Sequence, residues 1–309
     1  MVLAIMLSWF FVYFWGFSAA FSPQRYVADG LRWLVSTTDD VLNKELMLLV
    51  SLLLPVLLFG LLYEFVDQWL FGLAGLGLSF FAIAFASGRF YYFDQVALFK
   101  EALEQQDREQ VLRIARRLGV VEADDDDLDT IYLRARQLLC FRAFSQWFSA
   151  IVWFLLLGAS GVFFYGICRA VATLMPADFG GVYDYDDDDD DDEEENRVRI
   201  HFISERAASL LYWLDWLSVR GWLLVFALAS DFSRVFAVIR QSFFTANSHV
   251  ELLDRANTAV LEGELATEQP TINEFDFQSK YLEMKKLESN NNSAMMVSLV
   301  VVLVVVAIF

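Results

Sequence analysis

Apolar stretches alternate with charged segments along this chain, and the alternation predicts helices that cross a membrane. The apolar runs lie at about residues 2–20, 46–63, 69–86, 147–167, 208–229 and 294–309. A membrane-spanning helix needs about 20 mostly apolar residues, and each run approaches that length, although the last is short. So many runs in one chain disfavour the alternative of buried core helices in a soluble protein. We therefore expect an all-α, multi-pass helical membrane protein with about five to six transmembrane helices and amphipathic cytoplasmic helices.

Composition supports this segregation of charge from apolar residues. The chain is 57% hydrophobic and yet carries a formal charge of −18, with a mean hydropathy of +0.43. The first run has no Lys or Arg before residue 25, so it lacks the basic start of a secretory signal and reads as a retained helix. The lipid bilayer is thus the first expected partner. Nucleic acid is not expected, because a phosphate backbone needs basic surfaces.

Basic residues between the runs predict the orientation of the chain. Loops 21–44, 87–144 and 231–293 hold three, nine and six Lys or Arg, whereas loops 64–68 and 169–206 hold none and four. Cytoplasmic loops retain basic residues, so the first three loops are expected in the cytoplasm and both termini outside it. The organisation that follows is membrane helices in 1–86, a cytoplasmic helical segment in 87–144, central membrane helices in 145–230, a cytoplasmic helical segment and tether in 231–293, and a last membrane helix in 294–309.

The segment 87–144 carries clear helix signals. Residues 95–118 read as two amphipathic helices that separate at residues 105–106, with Asp107 as the N-cap of the second and Gly119 at its end. The apolar stripe of this second helix is expected to pack near the membrane ends of the spans, or alternatively in a partner-protein groove. The acidic cluster 124–127 is expected to cap the following helix.

Two other polar segments are interpreted as extended. Residues 184–195 are almost entirely acidic and lie in the predicted outer loop 176–200. Self-repulsion favours a solvated spacer, with weak divalent-cation binding as the alternative. Residues 265–293 are polar and resemble a tether that leads to the last span.

Asp215 and Arg220 stand out because two charged side chains interrupt the apolar stretch 210–229. An ionisable residue in a span is costly unless a partner, water or the interface is close. Residues five apart on a helix point about 140° away from each other, so the two charges do not pair ideally within one straight helix. We expect each to contact neighbouring spans or backbone near an interface that is marked by Trp213, Trp216 and Trp222.

No motif for catalysis, a metal or a cofactor occurs. Cys140 and Cys168 have no CxxC spacing, and two histidines are too few for a metal cluster. The glycines of residues 72–77 and 158–161 are expected to allow close helix packing. Glu64, Asp67 and Trp69 are expected at the membrane interface in a tight turn between two spans.

Several strings resemble a known membrane family. Residues 214–220 (LDWLSVR) are similar to a motif of the AmpE proteins and to the LD…PxR string of the CobD/CbiB cobinamide-amidating synthases. Residues 99–119 resemble the family's cytoplasmic helical pair, and residues 155–171 resemble the glycine-rich span of the synthases. The valine-rich end after a polar segment is similar to that of AmpE. The resemblance covers roughly residues 90–245 and depends on the order of the motifs.

Departures from the synthase pattern favour the AmpE branch. Where the synthases carry an acidic cluster before the glycine-rich span, residues 141–147 read FRAFSQW, and Ser218 replaces the usual proline. The resemblance implies a non-enzymatic modulator in the bacterial inner membrane, linked to β-lactamase induction and cell-wall recycling. It implies no catalytic residue or cofactor, and another membrane or cell-wall recycling protein as a partner. The alternative is an ATP-dependent, amide-forming synthase, while a transporter would need repeated broken spans that the sequence lacks.

Overall fold

The computed structural model describes residue 6 and residues 23–37, 43–67, 72–87, 92–120, 127–173, 191–242, 248–265 and 275–308, and no strand occurs in these ranges. The helices are α1 (Pro23–Thr37), α2 (Lys44–Asp67), α3 (Leu73–Ser87), α4 (Tyr92–Glu104), α5 (Arg108–Leu118), α6 (Leu128–Ala143), a π-helical turn (Phe144–Phe148), α7 (Ser149–Ala172), α8 (Asp191–Ala229), α9 (Phe232–Ser242), α10 (His249–Leu265) and α11 (Phe277–Ile308).

Five segments of the described chain are long and apolar enough to cross a membrane: Lys44–Val66, Leu73–Glu104, Leu128–Ala172, Val198–Ala229 and Phe277–Val306. In the first of them, only 17% of the most apolar stretch is buried inside the protein. Large exposed apolar surface of this kind is stable against lipid and unfavourable in water. The chain is therefore an all-α, multi-pass membrane protein, as expected. The first predicted run, 2–20, lies outside the described residues apart from residue 6.

Two compact units make up the chain. Unit 1 contains Met1–Arg89 and Ala150–Asp215, and unit 2 contains Phe90–Ser149 and Trp216–Phe309. The chain passes from one unit to the other at three places: between α3 and α4, at the start of α7, and within α8.

Unit 1 is built from α1, α2, α3, α7 and the first part of α8. Its core is apolar throughout and consists of Leu31, Val35, Met47, Leu52, Phe85, Ile167, Cys168, Val171, Ile200, Ile203 and Ala207. The ring of Phe163 stacks on that of Phe59 at 4.3 Å between centroids and lies 4.9 Å from the ring of Phe85. Rings on α2, α3 and α7 therefore hold these three helices together.

The glycines of α7 serve different purposes. A Cβ at Gly166 would lie 2.7 Å from Cδ1 of Phe85 and 2.9 Å from Cα of Ala86, so this glycine permits a close approach of α7 and α3. Gly158 instead has a φ of 70° and interrupts the helical backbone, while a Cβ there would meet nothing within 4 Å. A positive φ is accessible to glycine at little cost. Close packing at Gly158 was thus the wrong expectation, since its function is to kink the span.

The local signals in unit 2 are confirmed. Helix α5 begins after Asp107, whose carboxylate accepts a hydrogen bond from the backbone N–H of Gln110 at 3.0 Å, and it ends at Gly119 in the left-handed conformation. Asp127 caps α6 by accepting from the backbone N–H of Thr130 at 2.8 Å. The stripe of α5, formed by Val111, Ile114, Ala115 and Leu118, is buried and packs within unit 2, where α5 contacts α4 and α6.

The polar segment 265–293 before the last span was predicted to be a tether, but from residue 277 onward it is helical. It forms the first half of α11, a 32-residue helix. That helix is about 48 Å long, whereas the hydrocarbon core of a bilayer is about 30 Å thick, so the polar half extends beyond it. It packs against α4 and α10. Several of its polar residues make contacts inside unit 2.

The acidic outer loop is shorter than expected. Helix α8 begins at Asp191, so residues 191–200 of the predicted loop 176–200 are helical. The rest of the acidic run, 184–190, lies outside the described residues, as do Trp69 and the side chain of Asp67. Glu64 belongs to the last turns of α2 and is exposed there.

Candidate functional site

Asp215 is buried in unit 1 with only 3% of its surface exposed. The phenolic hydroxyl of Tyr165, on α7, donates a hydrogen bond to its Oδ1 at 2.9 Å. Tyr165 is itself fully buried. A carboxylate inside a span needs such a donor, because water is scarce there and an unsatisfied charge is costly. The expected contact with a neighbouring span is therefore present, and it fixes α8 against α7.

Arg220 lies in unit 2 and is also buried. Its Nη1 donates to the backbone carbonyl of Trp216 at 3.2 Å, and its guanidinium carbon lies 4.4 Å from the centre of the Trp216 ring. Residues four apart share one face of a helix, and an indole ring attracts a cation. The cation is thus stabilised by the preceding turn of its own helix.

The three tryptophans near these charges do not form one interfacial ring. Trp213 is 68% exposed, whereas Trp222 is buried and its ring lies 5.4 Å from that of Phe148. Gly221 makes room for the same phenylalanine, since a Cβ there would lie 3.2 Å from its Cε1. Trp222 is a core residue of unit 2 and Trp216 is half-buried, so the exposed Trp213 fits the expectation of an interfacial aromatic best.

Unit 2 contains a second, larger group of buried charges that the sequence analysis missed. Arg136 on α6 donates to Oδ1 of Asp254 through Nε at 3.0 Å and through Nη2 at 2.8 Å. Its Nη1 donates to Glu283 on α11, and Nη2 also donates to Thr258 on α10 at 2.9 Å. We call Arg136, Asp254, Glu283 and Thr258 the Arg136 cluster. It joins three helices through one guanidinium group.

Further polar contacts surround the Arg136 cluster. Lys280 forms ion pairs with Asp129 at 3.2 Å and with Glu283 at 3.9 Å. Its ammonium nitrogen also lies 4.9 Å from the ring centre of Tyr132, whose hydroxyl donates to the Lys280 carbonyl at 3.2 Å. On the same unit, Lys100 of α4 pairs with Glu288 of α11. The first half of α11 is thus held by charged partners on α4 and α6.

The chemistry of the Arg136 cluster is that of a structural tie. Both oxygens of Asp254 accept hydrogen bonds, since its Oδ2 receives one from Gln137 at 3.2 Å. A carboxylate that is shared in this way is a poor general base or metal ligand, because three hydrogen bonds already use most of its acceptor sites. Within the described residues, no group of three His, Cys, Asp or Glu side chains is placed to hold a metal ion. Cys140 and Cys168 are buried free thiols.

No family model, curated protein or solved structure matches the chain.

A sequence signal for the missed cluster does exist. Met284, Leu287 and Asn291 are buried and follow helical spacing within the segment taken for a tether. Arg136 lies on the buried face of α6 between Tyr132 and Leu139. A charge on an otherwise apolar face requires a partner, but only the tertiary fold reveals that Asp254 and Glu283 supply it.

Proposed function

We propose that this chain is a non-enzymatic modulator in a bacterial inner membrane, of the AmpE type, acting in β-lactamase induction and cell-wall recycling. The motif order across residues 90–245 supports the family, and the apolar spans support the membrane location. The observation that carries the non-enzymatic part is the Arg136 cluster. The carboxylates that the fold gathers in unit 2 are occupied by an arginine and are therefore suited to holding helices together.

The position of the buried charges supports this reading further. In unit 1, Asp215 accepts a hydrogen bond from the hydroxyl of Tyr165 at 2.9 Å, and this bond joins two spans. In unit 2, Arg136 joins α6 to α10 and α11. Each charge connects different helices. A modulator that passes information between a membrane segment and a helical segment needs such connections, whereas a synthase needs accessible carboxylates for the Mg²⁺ that binds the phosphates of ATP.

A genetic experiment tests the proposal. The gene is deleted in its source bacterium, and β-lactamase activity is measured with and without an inducing β-lactam. We expect induction to change on deletion and to be restored by the intact gene. Arg136→Met should fail to restore it, while Arg134→Met, two residues away and exposed, should succeed. Unchanged induction after deletion would overturn the proposal.

A biochemical experiment separates the modulator from the synthase alternative. Purified protein in detergent is mixed with Mg-ATP, and binding and hydrolysis are measured. The modulator predicts neither. Saturable binding with hydrolysis that is stimulated by a corrinoid carboxylate would instead support the amide-forming synthase.

A further inference from the structure

Helix α9 presents two apolar surfaces on different sides. Val235 and Ile239 are buried and pack towards α10. Phe232 and Phe236 are 49% and 43% exposed, and their rings stack at 5.3 Å between centroids. Helix α9 therefore has a covered face that ties it to unit 2 and a neighbouring face, which we call the Phe232/Phe236 face, that leaves two aromatic rings open.

The Phe232/Phe236 face follows directly from a membrane span. The apolar segment Val198–Ala229 ends at Ala229 and α9 begins at Phe232. Three residues of extended chain reach at most about 11 Å. Since the polar layer on each side of the hydrocarbon core is only about 5–8 Å deep, the start of α9 stays close to that layer. Leu224 and Leu228, in the last turns of the span, are exposed as well.

Local contacts fix how α9 leaves the span. The carboxylate of Asp231 accepts a hydrogen bond from the backbone N–H of Arg234 at 3.2 Å and pairs with its guanidinium at 3.1 Å. Arg234 also donates to the carbonyl of Ala259 on α10 at 3.3 Å. These contacts define the first turn of α9 and hold it to α10, so α9 does not extend freely from the end of α8.

Charge on α9 completes the pattern. Arg240 is exposed and stands one turn after Phe236, so it lies beside the aromatic pair. Gln241 is exposed too, but its direction is about 140° away from that of Phe236 at 3.6 residues per turn. Aromatic rings that insert below the headgroups, flanked by an arginine that reaches the phosphates, are the arrangement of a helix lying in a membrane interface.

We propose that α9 lies along the bilayer surface, with the Phe232/Phe236 face inserted at the boundary between headgroups and acyl chains and Arg240 at the lipid phosphates. The partner is the lipid surface of the membrane that the α8 span crosses. The proposal concerns an element outside the spans and is independent of any role in β-lactamase induction. It makes α9 an anchor that holds this part of unit 2 at the membrane surface.

Spin labelling tests this placement in the full-length protein. Both native cysteines are buried, so a nitroxide reagent labels an introduced exposed cysteine selectively. Phe236→Cys and the control Gln241→Cys are labelled and reconstituted in nanodiscs of phosphatidylethanolamine and phosphatidylglycerol. Collisions are measured with oxygen, which concentrates in the acyl region, and with a water-soluble nickel chelate. We expect an oxygen-to-nickel collision ratio severalfold higher at residue 236 than at residue 241.

Two outcomes overturn the proposal and one supports it. Frequent nickel collisions at both positions would place α9 in water and overturn it. Protection of residue 236 from both reagents would mean that protein covers the face, which also overturns it. A high ratio at 236 and a low ratio at 241 supports it. Phe232→Cys replaces Phe236→Cys if that variant lacks the thermal transition of the parent protein.

Discussion

Replacing Arg136 should reveal how strongly the Arg136 cluster stabilises unit 2. The guanidinium side chain is 8% exposed, and its partners Asp254 and Glu283 are 11% and 14% exposed. In Arg136→Met, Asp254 stays buried without its counter-charge, and Glu283 keeps only Lys280 at 3.9 Å. Removing one partner of a buried ion pair costs about 3–5 kcal/mol, mainly because the remaining charge is desolvated and uncompensated.

The expected loss is measurable as thermal stability in detergent. At roughly 2–4 °C per kcal/mol, a loss of 3–5 kcal/mol lowers Tm by roughly 6–20 °C. Arg134→Met is the matched control, since Arg134 is exposed on the same helix, and loss of an exposed charged contact should lower the free energy of unfolding by at most about 1 kcal/mol. Tm is followed by size-exclusion chromatography after heating, so that loss of the folded form is read directly.

A combined variant identifies the cause of the loss. In Arg136→Met with Asp254→Leu and Glu283→Met, the uncompensated carboxylates are gone, and apolar side chains of similar size replace all three groups. Such replacements are often neutral or stabilising, so most of the lost Tm should return. If Arg136→Met alone changes stability by less than about 1 kcal/mol, or if the triple variant is no better than the single one, the electrostatic reasoning is wrong.

Three further predictions concern other parts of the fold. Gly166→Ala pushes α7 away from α3 and should lower the free energy of unfolding by about 1–3 kcal/mol. At Gly77 a Cβ meets nothing within 4 Å, so Gly77→Ala should raise the free energy of unfolding by about 0.5–1 kcal/mol. Both effects are measured as changes in Tm. Tyr165→Phe removes a hydrogen bond to the carboxylate of Asp215. It should lower the free energy of unfolding by about 1–3 kcal/mol, measured in the same assay. Hydrogen bonds from the side chain and backbone of Thr130 lower the pKa of Asp127, so the stability from this cap is present above the unfolded-state pKa and is lost as pH falls through the folded-state pKa. Asp127→Asn keeps a cap that does not titrate, and a Tm that falls equally with acid in both proteins would contradict the assignment.

The parts of the fold that the sequence predicts are those set by local chemistry. The break at residues 105–106, the cap at Asp107 and the end at Gly119 depend on neighbouring residues alone, and all are found. Spans are predicted for a similar reason, because a long apolar run has few stable environments besides lipid. Five candidate spans occur among the described residues. The predicted N-terminal run lies outside the described residues apart from residue 6.

What the sequence does not predict depends on distant partners. The polar composition of the first half of α11 predicts a tether, yet Lys280 and Glu283 bind partners on α6 that lie about 150 residues earlier in the chain. The kink at Gly158 was read as close packing, since a glycine in an apolar run has the same appearance in both cases. Backbone conformation and long-range pairing distinguish these alternatives, and neither has a local sequence signature.

The two charges of the apolar stretch 210–229 each make the separate contact that their five-residue spacing predicts. Each has a contact that does not involve the other: Asp215 accepts from Tyr165 on a different helix, and Arg220 is held by the carbonyl and ring of Trp216. Changing Asp215 therefore alters the joint between α7 and α8, whereas changing Arg220 alters one turn of α8 and its surroundings in unit 2. The two belong to different compact units, so we expect their substitutions to have effects of different kinds on folding and on the proposed modulation. The charged string thus supplies two structural contacts, one between α7 and α8 and one within α8.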